Sequence, residues 1–442
     1  MPARTRILRG DVREVLGKLP EASFDACLCD PPYGLTANKR GGSGAASVNL
    51  NSAYGRARIG TGNGAGGFMG KKWDAEIPGP EAWAEILRVL KPGAFLLAFG
   101  GTRTHHRLMC AIEDAGFEIP DCLMWLYGSG FPKSLNVALA IDKAARGVPQ
   151  GGADPTSVNH GKYKGGCSEE NERGQGFGAG PGQFMREAGA KTDREFVPEA
   201  ARWSGYGTAL KPAWEPVIVA MKPCDGTYAE NALRHGVAGL NVDGCRIETA
   251  ESLNGGAYAK AGCDRHDGAE NWRYRRNGDA GDFQQPTGRW PANVILDEEA
   301  GRLLDEQSGD RSSTRASGNP NNPTHRELPG QAFSWGGKRT THDYRDSGGA
   351  SRFFYCAKAS PKERGPGNTH PTVKPLKLTE YLARLILPPK RDTPRRLVVP
   401  FAGSGSEIIG ARRAGWDEIV GVEIEREYIR IARTRLAAAA HR

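Results

Sequence analysis

Four consecutive residues offer the most chemistry in this chain: Asp30-Pro31-Pro32-Tyr33, followed by Gly34. They end the apolar run Phe24-Asp25-Ala26-Cys27-Leu28-Cys29, which reads as a buried strand. Proline cannot extend a central strand, so Asp30 is expected where the strand stops and the chain turns. In open α/β sheets, that carboxyl edge is where ligands bind. The four residues supply an anionic acceptor, a stiff backbone whose Pro31 carbonyl can accept a hydrogen bond, and a flat ring. They suit the exocyclic amino group of a planar base. Carboxylate and carbonyl would take its two N–H bonds, the ring would stack, and the nitrogen would be left facing a methyl donor. A strand-ending turn with a surface tyrosine carries the same letters, so the motif needs support from elsewhere.

The support lies near the other end. Arg396-Leu397-Val398-Val399 reads as a strand feeding the turn Pro400-Phe401-Ala402-Gly403-Ser404-Gly405-Ser406. A helix from Glu407 to Arg413, closed by Gly415, leads to the strand Glu418 to Glu423, which ends in an acid. This is the first half of a nucleoside-binding α/β unit. The glycines let the backbone approach a ligand, and a carboxylate ending the second strand can accept both ribose hydroxyls. The third glycine of the dinucleotide fingerprint is missing, as is the Lys-Ser/Thr of a phosphate loop. A pyrophosphate ligand is therefore disfavoured, and one such as S-adenosylmethionine is preferred. At the start of the chain, Arg6-Ile7-Leu8 leads through Gly10-Asp11 to Val12, Val15, Leu16 and Leu19 at helical spacing. Asp11 thus sits on a strand-to-helix turn, as an ordinary N-cap or as a site acid.

The elements that must position these residues alternate. Helices are expected at Pro80 to Leu90, His105 to Ala115, Leu135 to Ala145, Ala229 to Arg234 and Leu376 to Ile386. Strands are expected at Ala94 to Phe99, Cys122 to Tyr127, Trp214 to Met221, Asn293 to Leu296 and Phe353 to Cys356. Such alternation indicates a mainly parallel α/β sheet. Leu35 to Trp73 lacks periodicity and follows Tyr33, which favours a flap over the site. Gly147 to Ser204 is low in apolar residues and reads as a Gly-rich, flexible insertion. Between Thr227 and Gly365, Arg and aromatics interleave, notably at Arg273, Arg275, Arg276, Lys338 and Arg339. That mixture suits phosphate and base contacts, although a solvated basic face looks the same.

With 442 residues and 38% hydrophobic content the chain can bury a sizeable core, while 60 glycines imply long irregular stretches. A net charge of +9 fits a polyanionic partner. No stretch reads as a signal peptide or a membrane span, so a cytoplasmic protein without membrane contact is expected. Nine scattered cysteines read as reduced thiols, and Cys245, Cys263 and His266 lack paired metal-ligand spacing, so no metal is expected.

Asp-Pro-Pro-Tyr together with Phe-Ala-Gly-Ser-Gly resembles the S-adenosylmethionine-dependent DNA amino-methyltransferases. Placing the catalytic tetrapeptide first and the glycine loop last resembles their β group. Gly10-Asp11, Thr369-His370-Pro371-Thr372-Val373-Lys374-Pro375 and Glu423-Ile424-Glu425-Arg426-Glu427-Tyr428 agree with it. The resemblance implies a Rossmann-like class I methyltransferase sheet, permuted in motif order. The catalytic domain would comprise 1–146, 209–224 and 366–442, with the insertion at 147–208 and a target-recognition region at 225–365. Phe401, Gly403, Ser404 and Gly405 would shape the cofactor loop, Glu423 would hold the ribose, and Asp11 would meet the adenine. Thr372 and Lys374 would lie near the methionine end. Asp30, Pro31, Pro32 and Tyr33 would hold the target amine, with Asp30 also near the donor methyl. Double-stranded DNA is the implied partner, with a homodimer and a cognate restriction endonuclease as further candidates. Asp at the first motif position points to adenine N6, with cytosine N4 as the alternative. Two departures stand out: Val399 replaces the family's usual acid, and Glu407 replaces the usual small or Thr residue. They leave open a DNA-binding module with a degenerate cofactor site.

Overall fold

Every residue from Phe24 to Cys29 is buried, which a strand covered on both faces requires. It lies within a nine-stranded sheet of order β1-β11-β10-β2-β3-β5-β4-β6-β9. The computed structural model describes residues 3–34, 77–128, 130, 134–148, 195–249, 287–312, 347–357, 368 and 373–440. In chain order these form β1 (Arg4–Arg9), α1 (Val12–Leu16), β2 (Phe24–Cys29), α2 (Pro80–Val89), β3 (Leu90–Phe99), α3 (His105–Asp114) and β4 (Glu118–Leu126). Next come α4 (Val137–Ala145), α5 (Pro198–Ala201), β5 (Trp214–Met221), α6 (Tyr228–His235), β6 (Val294–Asp297), α7 (Glu298–Ser308), β7 (Arg311–Ser312) and β8 (Ser347–Gly348). Last are β9 (Tyr355–Ala357), α8 (Leu376–Leu385), β10 (Arg396–Val399), α9 (Ser406–Ala414), β11 (Glu418–Glu423) and α10 (Arg426–Ala440).

Within the nine-stranded sheet, β5 alone runs antiparallel to its neighbours β3 and β4, and all other pairings are parallel. An antiparallel strand set inside an otherwise parallel sheet gives the Rossmann-like α/β arrangement expected above. Helices cover both faces. Trp83, Ile86, Leu108 and Ile112 of α2 and α3 pack on one, with Leu16 of α1. Leu378, Tyr381 and Leu382 of α8 and Ile408 and Ile409 of α9 pack on the other. Each fully buried side chain of this size stabilises by about 1.5–3 kcal/mol, so both layers are needed to fix the strand ends.

The strand β3 begins at Leu90, four residues before the expected Ala94, taking in Lys91-Pro92-Gly93. A register shift between Phe24 and Ala26 on β2 accommodates it, and irregular pairing is where a sheet tolerates proline. Likewise β4 starts at Glu118 rather than Cys122, because its exposed first residues carry a polar pattern that does not read as a strand. The strands β6 and β9, from the region expected to recognise the target, extend the same sheet beyond β4. The whole expected flap, 35–73, and 149–194 of the insertion lie outside the described residues.

Candidate active site

The parallel register Leu397↔Ala26 and Val398↔Cys27 sets the ends of β10 and β2 side by side. The glycine loop leaves one strand where Asp30 leaves the other, so motifs at opposite ends of the chain share one edge of the sheet.

The loop itself is built from left-handed backbone. Phe401 (φ 58°), Gly403 (φ 48°) and Gly405 (φ 81°) all adopt positive φ. For Phe401, which has a side chain, this costs of order 1–3 kcal/mol, and such strain gathers at ligand sites. Its ring packs on Trp83, 6.1 Å between centroids. At Gly405 a Cβ would stand 3.0 Å from that of Ala432, so α10 presses directly on the loop. Arg435 of the same helix donates to the Ser404 carbonyl (2.7 Å), Ser404 Oγ (2.9 Å) and Ser406 Oγ (3.1 Å). Glu423 ends β11 with a buried carboxylate that accepts from Gly403 N (2.7 Å) and Glu425 N (2.8 Å). Burial pushes its pKa up, against those backbone donors. With Ile424 a third backbone donor, the carboxylate keeps one of its roughly four lone-pair sites for a ribose hydroxyl.

Opposite the loop, a polar cluster forms around Lys374, whose side chain is 6% exposed. Its Nζ donates to Tyr33 Oη at 2.9 Å and forms ion pairs with Asp30 Oδ2 at 2.9 Å and Glu215 Oε2 at 3.2 Å. The Tyr33 hydroxyl in turn donates to Asp30 Oδ1 at 2.8 Å, with Glu215 Oε2 a second acceptor at 3.3 Å. Burial opposes the ammonium's charge, yet the Asp30 and Glu215 carboxylates outweigh it and hold the Lys374 pKa above its usual range. Burial and the same two acids push the Tyr33 phenol well up. The ring of Phe99 lies 4.7 Å below the ammonium. Thr104 Oγ1 donates to the Tyr33 carbonyl at 2.7 Å, and Gly101 lets that ring come close, since a Cβ there would meet it at 3.1 Å.

Glu407 opens α9 just beyond the loop and is 4% exposed. Burial first, and the Asp30 carboxylate second, raise its pKa to about 7. The residue read as a departure thus adds a carboxyl group to the site. Val399, the other departure, is fully buried in the core and leaves no acid at the end of β10.

Asp11 caps α1, accepting from Arg13 N at 2.9 Å, and both its oxygens also receive the Arg13 guanidinium, which lowers its pKa. It is near Glu423 through Gly10, whose N–H donates to the Glu423 carbonyl (3.1 Å). Thr372, and the basic candidates Arg273, Arg275, Arg276, Lys338 and Arg339, lie outside the described residues. Sequence reasoning passed over Glu215 and Arg435. For Glu215 a signal existed: one acid inside the otherwise apolar strand Trp214 to Met221.

Among the described residues no cluster of His, Cys, Asp and Glu could hold a metal ion, the cysteines are all free, and no helix is long and apolar enough to cross a membrane. The donor set instead suits an organic cation with a diol. Asp30, Glu215 and Glu407 bring three carboxyl groups to a site with two cations, Lys374 and Arg435, which favours a sulfonium, while Glu423 ends β11, two strands from β2, as a hydroxyl acceptor.

No protein-family model and no curated protein matches the chain. Solved structures similar to it include the crystal structure of M1.HpyAVI, at 11% identity and TM-score 0.34, covering 98% of both chains. Another is PvuII DNA methyltransferase, described as cytosine-N4-specific, at 12% identity and TM-score 0.37, covering 98% of this chain and 87% of that one. A third is a putative DNA modification methylase from Thermus thermophilus complexed with S-adenosyl-L-methionine, at 14% identity and TM-score 0.34, covering 98% and 94%. Likenesses this low leave the site's own geometry to carry the functional reading.

Proposed function

We propose that the protein is an S-adenosylmethionine-dependent DNA amino-methyltransferase acting on adenine N6 in a base turned out of the duplex. One observation carries the reading: Asp30 and the Gly403–Gly405 loop, from opposite ends of the chain, leave neighbouring parallel strands with Glu423 one strand further on.

S-adenosylmethionine, when bound, supplies a methyl group on an electron-poor sulfur. The loop backbone and Glu423 would hold it, and the surplus of carboxyl groups around Lys374 would favour its positive charge. An aromatic amine is a poor nucleophile because its lone pair is delocalised into the ring. Asp30 and the Pro31 carbonyl would accept its two N–H bonds and favour a pyramidal nitrogen with its lone pair free. Transfer would then be direct, aided by positioning and electrostatics, without a covalent enzyme intermediate. Turning out the base costs a few kcal/mol of stacking, which contacts to Tyr33 and Asp30 would offset. Basic residues of the central region would meet the phosphates.

The preference for adenine N6 over cytosine N4 follows Asp30 at the first motif position, by family pattern alone. The second reading, a DNA-binding module without turnover, draws on buried Val399 where the family has an acid. Incubating plasmid DNA with radiolabelled S-adenosylmethionine, followed by nucleoside analysis, decides among the three. Labelled N6-methyladenine is expected. Labelled N4-methylcytosine would move the target, and DNA binding without incorporated label would leave only the module.

A further inference from the structure

Glu215 belongs to no motif above, yet it completes the polar cluster. It is the second residue of β5, the antiparallel strand of the nine-stranded sheet, and lies directly opposite Trp125 of β4. Trp125 and Tyr127 pack against each other with ring centroids 5.3 Å apart, walling that side of the carboxylate. Tyr127 is close enough that Glu215, after burial, helps to push its pKa up.

The Lys374 ammonium donates to Tyr33 and is balanced by two carboxylates, Asp30 and Glu215. Asp30 is tied to the same set, its Oδ2 accepting from Lys374 and its Oδ1 from Tyr33. Remove Glu215, and one of the ammonium's two paired carboxylates and the alternative acceptor for the Tyr33 proton go with it. The full charge of a buried cation would then bear on Asp30, drawing its carboxylate towards Lys374 and away from any other donor. With Glu215 present, the ammonium is shared between two acids on different strands and held in line above the Phe99 ring.

We propose that Glu215 is a positioning residue for amine methylation. It takes a share of the Lys374 ammonium and of the Tyr33 hydroxyl, and so leaves Asp30 oriented with lone pairs available to the target amine. This rests on the methyltransferase reading above. It explains why an acid interrupts an otherwise apolar strand, and why β5 must run antiparallel: its first residues then lie at the edge where the parallel strands end.

The test compares wild type with Glu215→Gln and Glu215→Asp, using plasmid DNA and radiolabelled S-adenosylmethionine. Glu215→Gln keeps the size and one acceptor while deleting the charge. Its kcat should fall about 10- to 100-fold, with KM for plasmid DNA and the calorimetric Kd for S-adenosylmethionine held within about threefold. Glu215→Asp should recover part of the loss. A readout independent of turnover is acetylation of Lys374 in the free protein, followed by mass spectrometry across pH. With one counter-charge gone, the lysine should become reactive at lower pH in Glu215→Gln than in wild type. A variant with wild-type kcat would overturn the proposal, as would unchanged Lys374 reactivity, or kcat, KM and cofactor affinity falling together with the melting temperature. A wild type that binds no S-adenosylmethionine and labels no DNA sinks the reaction reading itself, and the proposal with it. An active wild type beside an equally active Glu215→Gln sinks the proposal alone.

Discussion

Asp25 and Asp30 stand at opposite ends of β2, and their surroundings are charged in opposite ways. Asp25 is wholly buried and oversupplied with donors. Lys91 Nζ reaches it at 2.6 Å, Arg391 Nη2 at 2.5 Å and the Arg396 backbone N–H at 2.7 Å. At the other end, Asp30, Glu215 and Glu407 gather around Lys374. An acid surrounded by cations is satisfied and has nothing left to offer. Acids that outnumber their cations, here three against Lys374 and Arg435, still have capacity to bind one, and the two ends therefore divide into a structural clamp and a site.

The contrast can be broken by substitution. Asp25→Ala leaves two half-buried cations and a backbone N–H without their acceptor, and should cost about 3 kcal/mol of stability in urea unfolding. Methylation per folded molecule should be kept. Asp30→Ala should do the reverse, lowering kcat about 10²–10³-fold, while calorimetry still detects S-adenosylmethionine and the melting temperature barely moves. If the two variants behaved alike in both assays, the division of labour along β2 would be wrong.

A finer prediction concerns Glu407. Its folded pKa, about 7, lies above the 4.5 expected of an unfolded glutamate. The protonated form thus stabilises the fold below pH about 4.5, and that contribution, up to about 3 kcal/mol, is lost as pH rises towards 7. Glu407→Gln cannot ionise, so melting of wild type relative to this variant should decline across that window. A constant difference would remove Glu407 from the anionic surplus. Smallest of all is Lys91→Met, which deletes one of three donors to Asp25 and should cost about 1–2 kcal/mol in the same unfolding assay. A loss equal to that of Asp25→Ala would mean the clamp depends on a single contact.

Much of this was legible beforehand, and the limits have physical causes. Trp214 to Met221 and Glu418 to Glu423 read as strands because their apolar runs are local signals, and both occur as expected. The pairing of β2 with β10 was within reach because each ends in its own chemical motif. Glu215 was not. Its role depends on β5 entering between β3 and β4 against the direction of both, and strand order is a non-local property that no short window encodes. Asp11 shows the converse: the local capping signal, with Arg13 two residues on, accounts for both of its oxygens. Glu407 looked like a defect when only residue type could be weighed, and burial beside Asp30 lets it hold a proton up to a pH of about 7.

Arg435 holds the glycine loop to the final helix through Ser404 and Ser406. Such a loop is preorganised, and an incoming ligand would not have to meet the entropy of ordering it. Recognition would then show a small heat-capacity change and rapid association, with residence time governed by escape rather than by folding of the cradle. A guanidinium far along the chain from either motif would in this way set the kinetics of occupancy.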